Sequence, residues 1–154
     1  MGISVVLFEP EIPQNTGNIA RTCACTGCAL HLVEPMGFRL TSKQIARSGM
    51  DYWDDVNVHR WSCTQEFLEA HVGCDLHFFT GHATRAYDTV DYAEDAYLVF
   101  GRESRGIDED ILQAHEAKCV RIPMMPEKRS LNLGNSVAIA VYEVLREKGF
   151  TGLC

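Results

Sequence analysis

No run in this chain of 154 residues approaches the roughly 20 consecutive apolar residues that a membrane-spanning helix needs. The first eight residues carry no basic segment and no small-residue cleavage site. They read as a buried strand rather than a signal peptide, so a cytoplasmic location without a membrane partner is expected. Internal repeats, low-complexity tracts and Pro-, Gly- or Ser-rich linkers are missing, which leaves one domain over residues 1–154. There is no disulfide framework either: the seven cysteines are odd in number and irregularly spaced, which suits a reducing compartment. Cys25-Thr26-Gly27-Cys28, with Cys23 nearby, lacks the second cluster that a zinc site would need. His77 and His82 have no recognised metal spacing. No metal is expected, and the three cysteines read as packing residues. Both the P-loop and the G-x-G-x-x-G fingerprint are missing.

A basic excess is also lacking. The net charge of −7 argues against loose, sequence-blind binding along a nucleic-acid duplex. The acid is concentrated, however. Residues 51–100 hold ten acidic and two basic side chains, residues 1–50 three and four, and residues 101–154 eight of each. The two ends can therefore still build a local basic patch.

What is present alternates strand and helix. The apolar run Ile3–Phe8 predicts a buried strand, and Gly17–Cys28 a helix that stops near Gly27. Strands follow at Leu30–Glu34, Val56–His59, Leu76–Thr80, Ala96–Phe100 and Lys118–Ile122. Helices are expected at Lys43–Gly49, Thr64–Val72 (opened by Ser62 or Thr64 with Glu66), Asp108–Ala114 and Asn132–Lys148. This order predicts an α/β domain with a mainly parallel sheet. Its ligands should bind in loops beyond the carboxyl ends of the strands.

Three such loops carry polar clusters. In Glu9–Arg21, two prolines and a glycine fix the turn. Asn15 and Asn18 offer donors and acceptors, and Arg21 shares a helix face with Asn18; a helix cap with a surface arginine would look the same. In Phe100–Gly106, the glycines permit close backbone approach to a ligand, and Glu103 between Arg102 and Arg105 could equally be a surface ion-pair cluster. In Arg121–Ser136, two prolines extend the chain after a strand. Ser130, Asn132 and Asn135 then crowd the start of the last helix, more caps than one helix uses.

Taken together, N-x-G-N-x-x-R, F-G-x-E-x-x-G and the proline-flanked strand with R-S-L-N-L resemble the SPOUT superfamily of RNA methyltransferases, in its 2′-O-methylating branch. Glu34-Pro35-Met36-Gly37 and Gly49-Met50-Asp51-Tyr52 look like its small single-domain subgroup. The resemblance runs from Val5 to about Gly152. It implies an α/β fold whose C-terminal part threads a deep trefoil knot. S-adenosylmethionine is the implied cofactor, held around Phe79, Thr80, Gly101, Glu103, Ile122, Met124, Ser130, Leu131 and Asn132. Arg21 is implied beside the target ribose and phosphate, with Asn15 and Asn18 shaping its loop and Tyr142 on the last helix. Arg102, Arg105 and Arg129 are further candidates for RNA contact. A homodimer through the first and last helices is also implied. Gly134 and Arg102 depart from the residues common in the family, which bears on fine contacts rather than on reaction class.

The implied reaction is methylation of the ribose 2′-OH of the tRNA wobble nucleotide (position 34, cytidine or 5-carboxymethylaminomethyluridine) within the anticodon loop. Ribosomal RNA or another tRNA position would keep the same chemistry. An RNA-binding module without catalysis is the alternative of a different class. A generic nucleotide-binding regulator would need the missing phosphate loop.

Overall fold

The structure, a computed structural model, describes residues 2–41, 43 and 52–154. Six strands form one sheet: β1 (Ser4–Phe8), β2 (Ala29–Val33), β3 (Val58–Trp61), β4 (Asp75–Phe79), β5 (Ala96–Phe100) and β6 (Cys119–Val120). They lie in the order β3-β2-β1-β5-β4-β6, and every paired neighbour is parallel. Both faces of the central strands β1 and β5 are covered, and these two read as near-continuous apolar runs. In β1, Val5 and Leu7 join one core while Val6 and Phe8 join the other, as alternation across a strand demands.

The first face is covered by α1 (Pro13–Thr26) and α4 (Leu133–Glu147). Ile19, Ala20 and Cys23 meet Val137, Ala140, Val141 and Val144 there. The second face carries α2 (Thr64–Ala70) and α3 (Glu109–Ala114), which supply Phe67 and Leu112. Among the described residues, no helix is long and apolar enough to cross a membrane.

Several element bounds differ from expectation for local reasons. The first helix begins at Pro13, four residues before the predicted start; a proline in the first helical position has no N–H to leave unpaired. The third strand begins at Val58, two residues late, because a 3-10 turn at Trp53–Asp55 and its cap Val56 use the preceding residues. The last strand keeps only Cys119 and Val120, since Arg121 turns to the loop after β4: its N–H donates to Arg85 O and its carbonyl accepts from Tyr87 N, both at 2.9 Å. Ser62 and Glu66 do bond to each other ahead of α2, although Cys63 is the capping residue. The helix expected at Lys43–Gly49 lies outside the described residues, Lys43 excepted. The cysteines split: Cys23 and Cys28 are buried, but Cys25 is exposed rather than packed.

His31 on β2 is buried and accepts a hydrogen bond on Nδ1 from Trp61 Nε1 at 3.0 Å. It stacks on His59 at 4.5 Å and lies edge-on to His71 at 5.7 Å. Burial, and then the neighbouring His59 and His71, pull its pKa from the ordinary 6.5 down to about 4. The unfolded chain therefore takes up a proton that the folded chain refuses, and stability falls as pH drops from 6.5 to about 4. The full effect is at most about 3 kcal/mol. Urea unfolding across this range should show the slope, and His31→Phe should flatten it; an unchanged slope would exclude His31 as its source.

Candidate active site

The sheet order reverses between β1 and β5. The chain leaves β1 toward β2 on one side, while β4 and then β6 lie on the far side of β5. The connections that leave Phe8 and Phe100 thus run on to opposite sides of the sheet, the kind of place where parallel sheets bind ligands.

Glu9, directly after β1, has φ 52, a left-handed conformation that costs a non-glycine residue energy and clusters at functional sites. Its carboxylate pairs with Arg102, which also holds Asp108. The Arg102 side chain is only 11% exposed. Burial works against its charge, but the bonds from Asp108 and Glu9 outweigh this and hold its pKa above the usual arginine value. Arg102 is therefore engaged inside the protein, not presented to RNA as expected.

The glycines of this loop also have a different reason from the expected ligand approach. Arg102 exchanges backbone hydrogen bonds with Gly106 at 3.1 and 2.8 Å. A Cβ on Gly101 would lie 2.1 Å from the Gly106 carbonyl carbon, and Gly106 itself has φ +71. The loop's own reversal excludes side chains there.

Glu103 does not pair with its flanking arginines. Its carboxylate accepts from Glu11 N at 2.8 Å, Ile12 N at 3.0 Å and Asn15 Nδ2 at 3.4 Å. Glu11 returns the contact, accepting from Ser104 N at 3.0 Å and Ser104 Oγ at 2.7 Å. These bonds hold the Glu11 carboxyl below its usual range. Asn15 is buried, and its Oδ1 accepts from Asn132 Nδ2 at 3.0 Å. Asn132 Oδ1 in turn caps α4 by accepting from Asn135 N at 3.2 Å. One hydrogen-bonded path thus joins all three loops.

The loop after β4 closes the other side. Thr80 N donates to Val120 O at 2.9 Å, and Thr80 Oγ1 accepts from His82 N at 3.3 Å. A Cβ on Gly81 would sit 3.9 Å from Met124 Cε and 4.0 Å from Arg129 O, so this loop touches the segment after β6. Phe79 stacks on Phe100 at 4.7 Å, and Ile122 packs against the same core. Phe79, Thr80, Gly101, Ile122 and Met124 therefore surround the carboxyl ends of β4, β5 and β6, with Arg129, Ser130 and Leu131 exposed beyond them. Exposed Leu131 and Met125 beside half-buried Met124 and Ile122 offer apolar surface, which suits the adenine of S-adenosylmethionine.

Arg21 is exposed, with its guanidinium 4.9 Å from the centre of the Tyr52 ring. Asn18, one turn earlier and also exposed, lies against the start of α4, where a Cβ on Gly134 would sit 3.6 Å from Asn18 Cβ and 3.2 Å from Asn132 Oδ1. A serine at 134 would crowd this contact. Arg105 is exposed. Tyr142 is 49% exposed and 6.4 Å from Phe150, so it does not belong to the core. Sequence reasoning gave no role to Glu9, Glu11, Ser104 or Tyr52. The side-chain partners of the two acids are 93 residues away, and no local spacing announces them.

The model of the SpoU rRNA Methylase family matches residues 2–142. This chain belongs to that family. The tRNA (cytidine(34)-2'-O)-methyltransferase of Escherichia coli (strain K12) is 46% identical over 151 residues, covering 97% of this chain and 96% of the relative. Its Aeromonas hydrophila counterpart is 43% identical, with 97% of both chains covered. A solved structure concerned with 2-OH methylation of C/U34 on tRNA superposes with a TM-score of 0.90 at 40% identity, covering 96% of this chain and 97% of that one. The AdoMet-bound rRNA methyltransferase of Sinorhizobium meliloti gives 0.83 at 25% identity, covering 95% of this chain but 56% of that one.

Removing the Glu103 carboxylate strands three donors. Glu103→Ala should destabilise the fold by about 1–3 kcal/mol, read by urea unfolding, and weaken cofactor binding with it. A double-mutant cycle of Asn15→Ala with Asn132→Ala should show coupling of about 0.5–3 kcal/mol. Simple additivity would mean that the amide pair does not join the loops.

Proposed function

We propose that this protein transfers a methyl group from S-adenosylmethionine to the ribose 2′-OH of the tRNA wobble nucleotide, position 34, a cytidine or modified uridine in the anticodon loop. The observation that carries the reading is the single hydrogen-bonded path from Glu103 through Asn15 to Asn132. It gathers three loops at the carboxyl ends of the strands, and Arg21 is exposed further along α1, the helix that the first of these loops opens. Relatives that match this chain nearly end to end carry the wobble activity in their names. The ribosomal RNA enzyme at 25% identity is a longer protein, of which this chain spans 56%. A wobble substrate is therefore favoured over ribosomal RNA. The intact loop network weighs against an inactive binding module.

S-adenosylmethionine supplies an electrophilic methyl on a sulfonium sulfur. Phe79, Thr80, Gly101, Ile122, Met124, Ser130 and Leu131 are the residues to hold it, by apolar contact and backbone bonds. Asn132 and Glu103 act there indirectly, since their side chains are committed to Asn15 and to the loop after β1. What remains is to align the ribose hydroxyl and help it lose its proton. Arg21 cannot act as a base, because its guanidinium does not deprotonate. As a fixed positive charge it binds the substrate phosphate and lowers the hydroxyl's pKa, with phosphate or water taking the proton. Asn18 sets the helix face from which Arg21 projects, Asn15 fixes the loop from below, and Arg105 and Arg129 are free to meet RNA.

The same reading includes a trefoil knot in the C-terminal part, a single domain over 1–154, action in the cytoplasm without a metal, and a homodimer through α1 and α4. Exposed Ile139, Tyr142 and Phe150 suit the dimer face, where Tyr142 would lie near the partner's site.

Incubation with labelled S-adenosylmethionine and total tRNA, followed by nucleoside mapping, should place the label on the ribose at position 34. Label on a base, or none in tRNA, overturns the reading. Arg21→Ala should lose at least a hundredfold in turnover, on the order of positioning and proton-transfer effects, while binding cofactor normally. Sedimentation should give a dimer, and Tyr142→Arg should shift it toward monomer.

A further inference from the structure

Arg102 and Arg21 are held in opposite ways. Arg102 is neutralised by two carboxylates, Glu9 and Asp108. Arg21 has no ion pair or hydrogen bond among the described residues, only the face of Tyr52, 4.9 Å from its guanidinium carbon. That is within the roughly 6 Å reach of a cation–π contact. Such a contact orients a cation without supplying a counter-charge, and it leaves the N–H donors at the guanidinium edge free. In a chain of net charge −7, a carboxylate at this place would cancel the charge that attracts a phosphate; an aromatic ring does not.

The ring is itself fixed. Tyr52 caps the 3-10 turn Trp53–Asp55, its carbonyl accepting from Asp55 N at 3.0 Å. Trp53 and Val56 on either side of the turn pack into the core that α1 shares, and this docks the turn beside the helix carrying Arg21. Tyr52 is nevertheless 36% exposed, and its burial alone gives little reason for an aromatic residue. An arginine side chain loses much rotamer freedom when it is ordered on binding. A platform that orders it beforehand lowers that cost.

We propose that Tyr52 is a positioning residue for methyl transfer: its ring holds the Arg21 guanidinium, still fully charged, toward the phosphate of the target nucleotide. This rests on the role assigned to Arg21 above. Tyr52→Leu should weaken tRNA affinity and single-turnover methylation about three- to tenfold, the range from an exposed to a partly desolvated contact. S-adenosylmethionine affinity and thermal stability should stay unchanged. Tyr52→Phe and Tyr52→Trp, which keep a π face, should restore both RNA readouts. In an Arg21→Ala background, Tyr52→Leu should cost no further tRNA affinity.

Three results would overturn it: full activity in Tyr52→Leu, loss that Phe and Trp fail to rescue, or an undiminished affinity loss in the Arg21→Ala background. The last would mean that Tyr52 touches RNA itself. If Arg21→Ala alone leaves tRNA affinity and turnover intact, it is the role of Arg21 that fails, and the positioning role falls with it.

Discussion

The amide of Asn15 has two chemically different ends, and both are used. Its N–H donates to Glu103 from the loop after β5, and its oxygen accepts from Asn132 at the start of α4. An amide is among the few side chains that can donate one way and accept the other from a buried position. Asp would offer no donor to Glu103, and a hydroxyl is shorter. Because Glu103 also fixes two backbone N–H groups of the first loop, the Asn15 amide ties this pair of loops to the start of α4. Buried polar networks of this kind hold a unique arrangement when complete and are costly when broken.

Charge at the site follows from the same economy. The protein is acidic overall, yet its acids near the site are occupied: Glu9 with Arg102, Glu11 with Ser104, Glu103 with the loop before α1. None of these contacts involves Arg21. An acidic protein can thus present a local positive charge to RNA without a basic surface, consistent with selectivity for a small preformed target rather than affinity along a duplex.

The parallel sheet was legible because continuous apolar strands alternating with amphipathic helices have few other solutions. Val137, Val141, Val144 and Leu145, spaced three and four apart or adjacent on α4, share its buried face. The loops were legible as places but not as contacts. Glu103 reads as an ion-pair partner because Arg102 and Arg105 flank it, yet its acceptors face donors in a segment about ninety residues earlier, and no local pattern encodes that. Gly101 reads as room for a ligand, while the space is taken by Gly106 and Ile107. The family resemblance supplied roles that spacing could not. It supplied them for residues such as Arg102 and Asn132, whose side chains are engaged within the fold, and gave none to Tyr52, which touches Arg21.

β6 pairs with β4 through only two residues, and beyond Arg121 the wall runs to α4 without further sheet contact. It is held by the Asn15–Asn132 bond and by neighbouring loops. Local opening of this wall therefore breaks far fewer contacts than unfolding the six-stranded sheet, and the two free energies are separable. Amide hydrogens from 123 to 131 belong to the first class and those of β1 and β5 to the second. An opening of the first kind leaves the sheet, and the register that places the remaining loops, intact.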